Sequence, residues 1–123
     1  MLTTISKTFD FDAAHRLDCL PPTHKCYQMH GHTYRVEVVL RGECGPPMFM
    51  FVDYADIADA WAPIHELLDH KTLNEVAGLG HPTTEAVADF ILKRLERDGK
   101  IGVFLRTVRV YESSTTWCEV HKP

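Results

Sequence analysis

The sequence has no long hydrophobic run. Its longest apolar stretch is Met48-Phe49-Met50-Phe51-Val52, far short of the roughly 20 residues a membrane-spanning helix needs. The opening segment, Met1 to His15, has neither the continuous apolar core nor the small-residue cleavage signal of a secretory leader. Cys19, Cys26, Cys44 and Cys118 contain no C-x-x-C spacing. Without an export signal they are expected as reduced thiols of a cytoplasmic protein. Positive charge is also scarce. The net charge is −4, with no basic stripe, so a nucleic-acid partner is not indicated. An anionic substrate would need a local cationic pocket, because the global field does not attract it. There is no internal repeat, low-complexity tract or linker, and 123 residues favour one domain over residues 1–123.

The pattern that is present mixes two periods. From Thr4 to Arg16 the residues alternate: Ile5, Phe9, Phe11, Ala13 and His15 share one face, with Lys7 as the exception. This predicts a half-buried strand. A loop from Leu17 to Met29 follows, broken by Pro21-Pro22, and a second strand is predicted from about His32 to Arg41. Asp53–Asp69 reads as a helix capped by Asp53, with Ile57, Trp61, Ile64 and Leu68 as its apolar stripe. Pro63 is expected to kink or interrupt it. A second helix is predicted from Thr84 to about Asp98, capped by Thr83 and stopped by Gly99. Strands near Val103–Glu112 and Thr116–His121 complete the order β, β, α, α, β, β. The expected class is α+β, an antiparallel sheet with its helices on one face.

The histidines are numerous, but their placement is more telling than their number. His30 and His32 are two apart and share parity with Tyr34, Val36, Val38 and Leu40. His15 shares parity with the apolar face of the first strand. If the two strands pair antiparallel, three imidazoles point to one side of the sheet. Three histidines and an open position make a catalytic zinc site, and imidazoles also suit copper, iron or nickel. Against this stands simple packing of histidines in a core, and a bulge in either strand would break the convergence.

Cys26 lies four residues before His30. It is a fourth metal ligand, a nearby thiol activated as a base, or a plain buried cysteine. Asp69-His70 ends the first helix. The pair either caps it, where an imidazole favours the dipole, or forms a relay in which the carboxylate orients the imidazole. Glu112 continues the apolar parity of Val108 and Val110. It is either solvated beyond the strand end or a buried carboxylate suited to a ring with adjacent N–H donors.

Five runs occur in order: Phe11-Asp12-Ala13-Ala14-His15-Arg16-Leu17, Cys26-Tyr27-Gln28-Met29-His30-Gly31-His32, Leu68-Asp69-His70-Lys71-Thr72-Leu73-Asn74, Pro82-Thr83-Thr84-Glu85, and Glu112. Together they resemble the 6-pyruvoyl-tetrahydropterin synthase superfamily across nearly the whole chain. The resemblance implies the tunnelling fold, a four-stranded antiparallel sheet with two helices on one face. It implies trimers stacked in pairs as a homohexamer, with active sites between subunits. By the same resemblance, His15, His30 and His32 hold zinc, Cys26 is the general base, and Asp69 and His70 form a relay with it. Glu112 anchors the pterin ring, sometimes counted as catalytic, and Thr83 and Thr84 help bind it. The three-residue gap between Cys26 and His30 resembles bacterial 6-carboxy-tetrahydropterin synthases of queuosine biosynthesis. Pyruvoyl-forming enzymes of the animal type usually have a longer insertion there. A third, folate-linked group places a glutamate near the His-Gly-His run, and this chain has Gln28 at the nearby position. The implied substrate is 7,8-dihydroneopterin triphosphate, with Lys25, Arg16 and Lys71 as candidate phosphate contacts.

Overall fold

Two long strands form the spine. The computed structural model describes residues 1–123. Strands β1 (Leu2–His15) and β2 (His30–Glu43) pair antiparallel without interruption, from Leu2 opposite Glu43 to His15 opposite His30. No bulge intervenes, so the period-two alternation survives along the full length of both strands. Phe11, Ala13, His15, Tyr34, Val36, Val38 and Leu40 all face the core. Lys7 keeps its place on that face by lying over the Phe9 ring, 5.7 Å from its centroid.

Helix α1 (Tyr54–Leu68) follows, then the short strand β3 (Lys71–Thr72) and helix α2 (Thr84–Leu95). The chain ends with β4 (Leu105–Tyr111) and β5 (Trp117–His121). Both caps act through side-chain oxygens: Asp53 accepts from the Ala55 N–H at 2.9 Å, and Thr83 from the Ala86 N–H at 3.1 Å. Ile57, Trp61, Ile64 and Leu68 of α1, with Val87, Ile91 and Leu95 of α2, press into one face of the sheet. Each such side chain contributes about 1.5–3 kcal/mol when fully buried.

Two expectations are corrected. The sheet has five strands in the order β3-β1-β2-β4-β5 and is mixed, not four-stranded and antiparallel. The addition is β3, which runs parallel to β1 through Ala13–Lys71 and Ala14–Thr72. Two residues are too few to carry a period-two signal. Their pairing is imposed by the chain on either side, where the His70 N–H donates to the Asp12 carbonyl at 2.6 Å. The second correction concerns the interruption expected at Pro63: α1 runs through it without a break. Its ring lies on the exposed side of the helix, where the carbonyl left without an N–H donor can be hydrated.

Candidate metal site

The sheet register decides where the histidines go. His15 closes β1 and His30 opens β2 as its direct cross-strand partner, while His32 lies opposite Ala13. Alternation puts the three rings on the helix-covered face. Their centroids are 4.6, 5.1 and 4.9 Å apart, and one nitrogen from each lies within 4.8 Å of the others.

Backbone carbonyls set two of the tautomers. Nδ1 of His15 is 2.7 Å from the Pro82 carbonyl, and Nδ1 of His30 is 2.7 Å from the Gln28 carbonyl. A carbonyl only accepts, so each Nδ1 carries the proton and each Nε2 presents a lone pair. His15 is fully buried, yet its Nε2 has no partner, and the buried Nε2 of His32 makes no hydrogen bond, although the Glu112 carboxylate approaches it. Such a group left unpaired costs about 1–3 kcal/mol. A metal ion satisfies both, so the cluster fits a metal on its own geometry. Burial pushes the His32 pKa down, and neighbouring His15 and His30 push the same way against Glu112. The Glu112 carboxylate is 3.3 Å from His32 Nε2, but burial outweighs it. The ring is therefore held neutral, which is the ligating form.

Tyr34 floors the cluster. Its hydroxyl lies 3.4 Å from His15 Nδ1, well beyond the Pro82 carbonyl, and burial together with Glu112 pushes its pKa upward. The hydroxyl therefore stays protonated, a neutral donor or acceptor at the base of the site.

Glu112 lies just past the end of β4 and is only partly exposed, so it is not a freely solvated strand end. One of its carboxylate oxygens accepts a short hydrogen bond from the Thr84 hydroxyl at the start of α2. A cavity of about 280 Å³ is lined here by Thr84, Glu85, Glu112, Thr116, Trp117 and Cys118. Thr83 is committed to the helix cap and reaches this cavity only through its neighbour.

Cys26 sits half-buried in the short helical turn Lys25–Tyr27. Its N–H donates to His24 Nδ1 at 3.1 Å and its carbonyl accepts from the Leu17 N–H at 2.8 Å. Its thiol is not among the atoms that converge with the histidines. The geometry thus gives the fourth-ligand reading no support.

Asp69 and His70 do form a pair, with Nδ1 2.9 Å from Oδ2. Asp69 is fixed from behind, where its other oxygen accepts the Asp12 N–H at 3.0 Å. That bond, and then His70, hold the carboxyl below the usual range, while Asp69 raises the His70 pKa. His70 adopts a positive φ of 57°, a left-handed conformation that costs a non-glycine residue on the order of 1–2 kcal/mol. It turns the chain sharply from α1 into β3 and leaves the imidazole exposed. The ring borders an open groove of about 540 Å³ with Asp12, Ala14, Gly31, Thr33, Lys71 and Thr72. Cys26 does not line this groove.

The 6-pyruvoyl tetrahydropterin synthase family profile matches residues 4–123. The chain belongs to this family. A 6-carboxy-5,6,7,8-tetrahydropterin synthase of Synechocystis is 35% identical, over 97% of this chain and 93% of that protein. The human 6-pyruvoyl tetrahydrobiopterin synthase is 33% identical, over 89% of this chain and 84% of that protein. The structure of the Caenorhabditis elegans 6-pyruvoyl tetrahydropterin synthase superposes with a TM-score of 0.90 at 25% identity, covering 100% of this chain and 97% of that one. The chain is thus a tetrahydropterin-synthase-family protein whose histidine cluster can hold a metal.

Several groups around these sites carry no local sequence signal. The Pro82 carbonyl is backbone and invisible to residue patterns. Tyr34 reads as one more apolar position, and Glu85 as a residue favouring the helix dipole. Asn74 ends the run Leu68–Asn74, and its bonds to Arg16 lie too far along the chain to leave a local pattern.

Proposed function

We propose that the protein is a zinc-dependent lyase. It would convert 7,8-dihydroneopterin triphosphate and one water to 6-carboxy-5,6,7,8-tetrahydropterin, acetaldehyde and triphosphate, in queuosine biosynthesis. The observation that carries this reading is the buried, unpartnered Nε2 of His15 facing His30 and His32 in a chain of this family. The Synechocystis relative, which bears the carboxy-forming name, and the short gap from Cys26 to His30 favour that branch.

Bound zinc supplies a Lewis acid that polarises the oxygens of the substrate side chain and acidifies adjacent C–H bonds. The remaining work falls to side chains. Cys26 accepts a proton from the substrate side chain. His70, raised in pKa by Asp69, is protonated more readily and acts as the acid–base partner. Glu112, oriented by Thr84, receives paired N–H donors of the pterin ring, with Thr83 beside it. Arg16, Lys25 and Lys71 are the cations available for the triphosphate. The groove that holds His70 does not include Cys26. This separation supports sites completed between copies, in a homohexamer of two stacked trimers. No helix is long and apolar enough to cross a membrane, and four free thiols suit a reducing cytoplasm.

The test is product identification with zinc-loaded protein and dihydroneopterin triphosphate. Acetaldehyde and the 6-carboxypterin are expected. Absence of both overturns the proposal. A 6-pyruvoyl product would instead assign the second reading, which the human relative supports.

A further inference from the structure

The outer edge of β1 is fastened to residues 69–74 from Asp12 to Arg16. At Asp12 the N–H donates to Asp69 and the carbonyl accepts from the His70 N–H. At Ala13 and Ala14 the partner is β3. At Arg16, past the end of every strand, the partner is a side chain. The Arg16 N–H donates to Asn74 Oδ1 at 3.0 Å, and Asn74 Nδ2 donates to the Arg16 carbonyl at 2.9 Å. A carboxamide offers one acceptor and one donor side by side, so it extends the ladder by one residue where the main chain has turned away.

The Arg16 carbonyl and the Leu17 N–H belong to one planar peptide unit, and a trans peptide points them in opposite directions. Asn74 holds the carbonyl. The Leu17 N–H on the other side donates to the Cys26 carbonyl at 2.8 Å. A single rigid plane therefore connects the Asn74 carboxamide to the backbone of Cys26. It also closes the base of the Leu17–Met29 loop. His15 immediately precedes this unit, but it is held separately by the Pro82 carbonyl.

We propose that Asn74 is a positioning residue that fixes the Cys26 loop, and so the place of its thiol relative to the three histidines. The inference rests on the reading of Cys26 as the proton acceptor. The test compares zinc-loaded wild type with Asn74→Ala, which removes both bonds, and Asn74→Asp. The aspartate keeps the acceptor but has no donor for the Arg16 carbonyl. Three quantities are measured on folded protein: zinc content, the pH dependence of Cys26 alkylation by iodoacetamide (resolved from the other thiols by peptide mass spectrometry), and kcat with KM.

Both variants are expected to keep their zinc, to change the rate and pH profile of Cys26 alkylation, and to lose kcat by about 10–100-fold with little change in KM. Asn74→Asp should lie nearer Asn74→Ala than wild type. Unchanged Cys26 alkylation with unchanged kcat overturns the inference, as does loss of zinc with alkylation unchanged. If Asn74→Ala does not fold, Asn74→Asp decides alone, since it keeps the residue's size. Failure of the underlying reading shows differently: Cys26→Ala would then retain turnover, while the alkylation data would still report whether Asn74 holds the loop.

Discussion

Removing the metal should lower the melting temperature by an amount the structure bounds. Folded protein presents two buried imidazole nitrogens without a hydrogen bond, on His15 and His32, that an unfolded chain does not hold together. Under the proposed function, zinc would therefore bind the native state preferentially. At a free concentration a hundredfold above Kd it contributes about 2.7 kcal/mol of stability. Unfolding entropy of about 2.1 cal/mol/K per residue gives roughly 260 cal/mol/K for a chain of 123 residues. Each kcal/mol then shifts the midpoint by about 4 °C, so zinc should raise it by about 10 °C. His15→Ala separates the two roles of this ring. It should remove the zinc-dependent rise, and it should also lower the metal-free midpoint, because the Pro82 carbonyl loses its donor at a cost of about 1–3 kcal/mol. Differential scanning fluorimetry on untagged protein with chelator and with zinc, alongside elemental analysis, measures both effects. A wild-type midpoint unmoved by saturating zinc, with no metal bound, refutes the reasoning.

Two further outcomes follow from the site. Cys26→Ala should keep one zinc per chain and lose turnover by about 10²–10⁴-fold, the usual range for removing a general base; elemental analysis and steady-state kinetics check this, and loss of zinc would restore the fourth-ligand reading. In the Asp69–His70 pair, His70 is raised above its ordinary 6.5, so its contribution to stability is complete below that pH and fades as pH rises through the folded value. Asp69 is lowered from 3.8, so its contribution is present above 3.8 and fades as pH falls through its folded value. The pair should therefore contribute most between about pH 3.8 and 6.5. Asp69→Asn should return the His70 titration, followed by NMR, toward 6.5; an unchanged titration would show that the carboxylate does not hold the ring.

The long elements were legible because their signals are local and repeated. Strands β1 and β2 alternate over many residues, and both main helices carry a side-chain cap and an apolar stripe. Strand β3 was not legible, because two residues have no period. Pro63 misled for the opposite reason: a strong local rule met a helix whose apolar stripe was anchored on both sides of the proline.

The sequence by itself determined that His15, His30 and His32 lie on the apolar faces of two strands, since side-chain parity is a property of the extended chain. It determined the family as well, through motifs that keep their order. Only the tertiary structure decided that the three rings converge, because convergence needs an unbroken register that puts His15 opposite His30. It alone supplied the Pro82 carbonyl that orients His15, since contacts across such a sequence separation leave no local pattern. It also set Cys26 outside the histidine cluster, in a loop closed by the Leu17 N–H on the Cys26 carbonyl, a contact across irregular chain that leaves no period in the sequence.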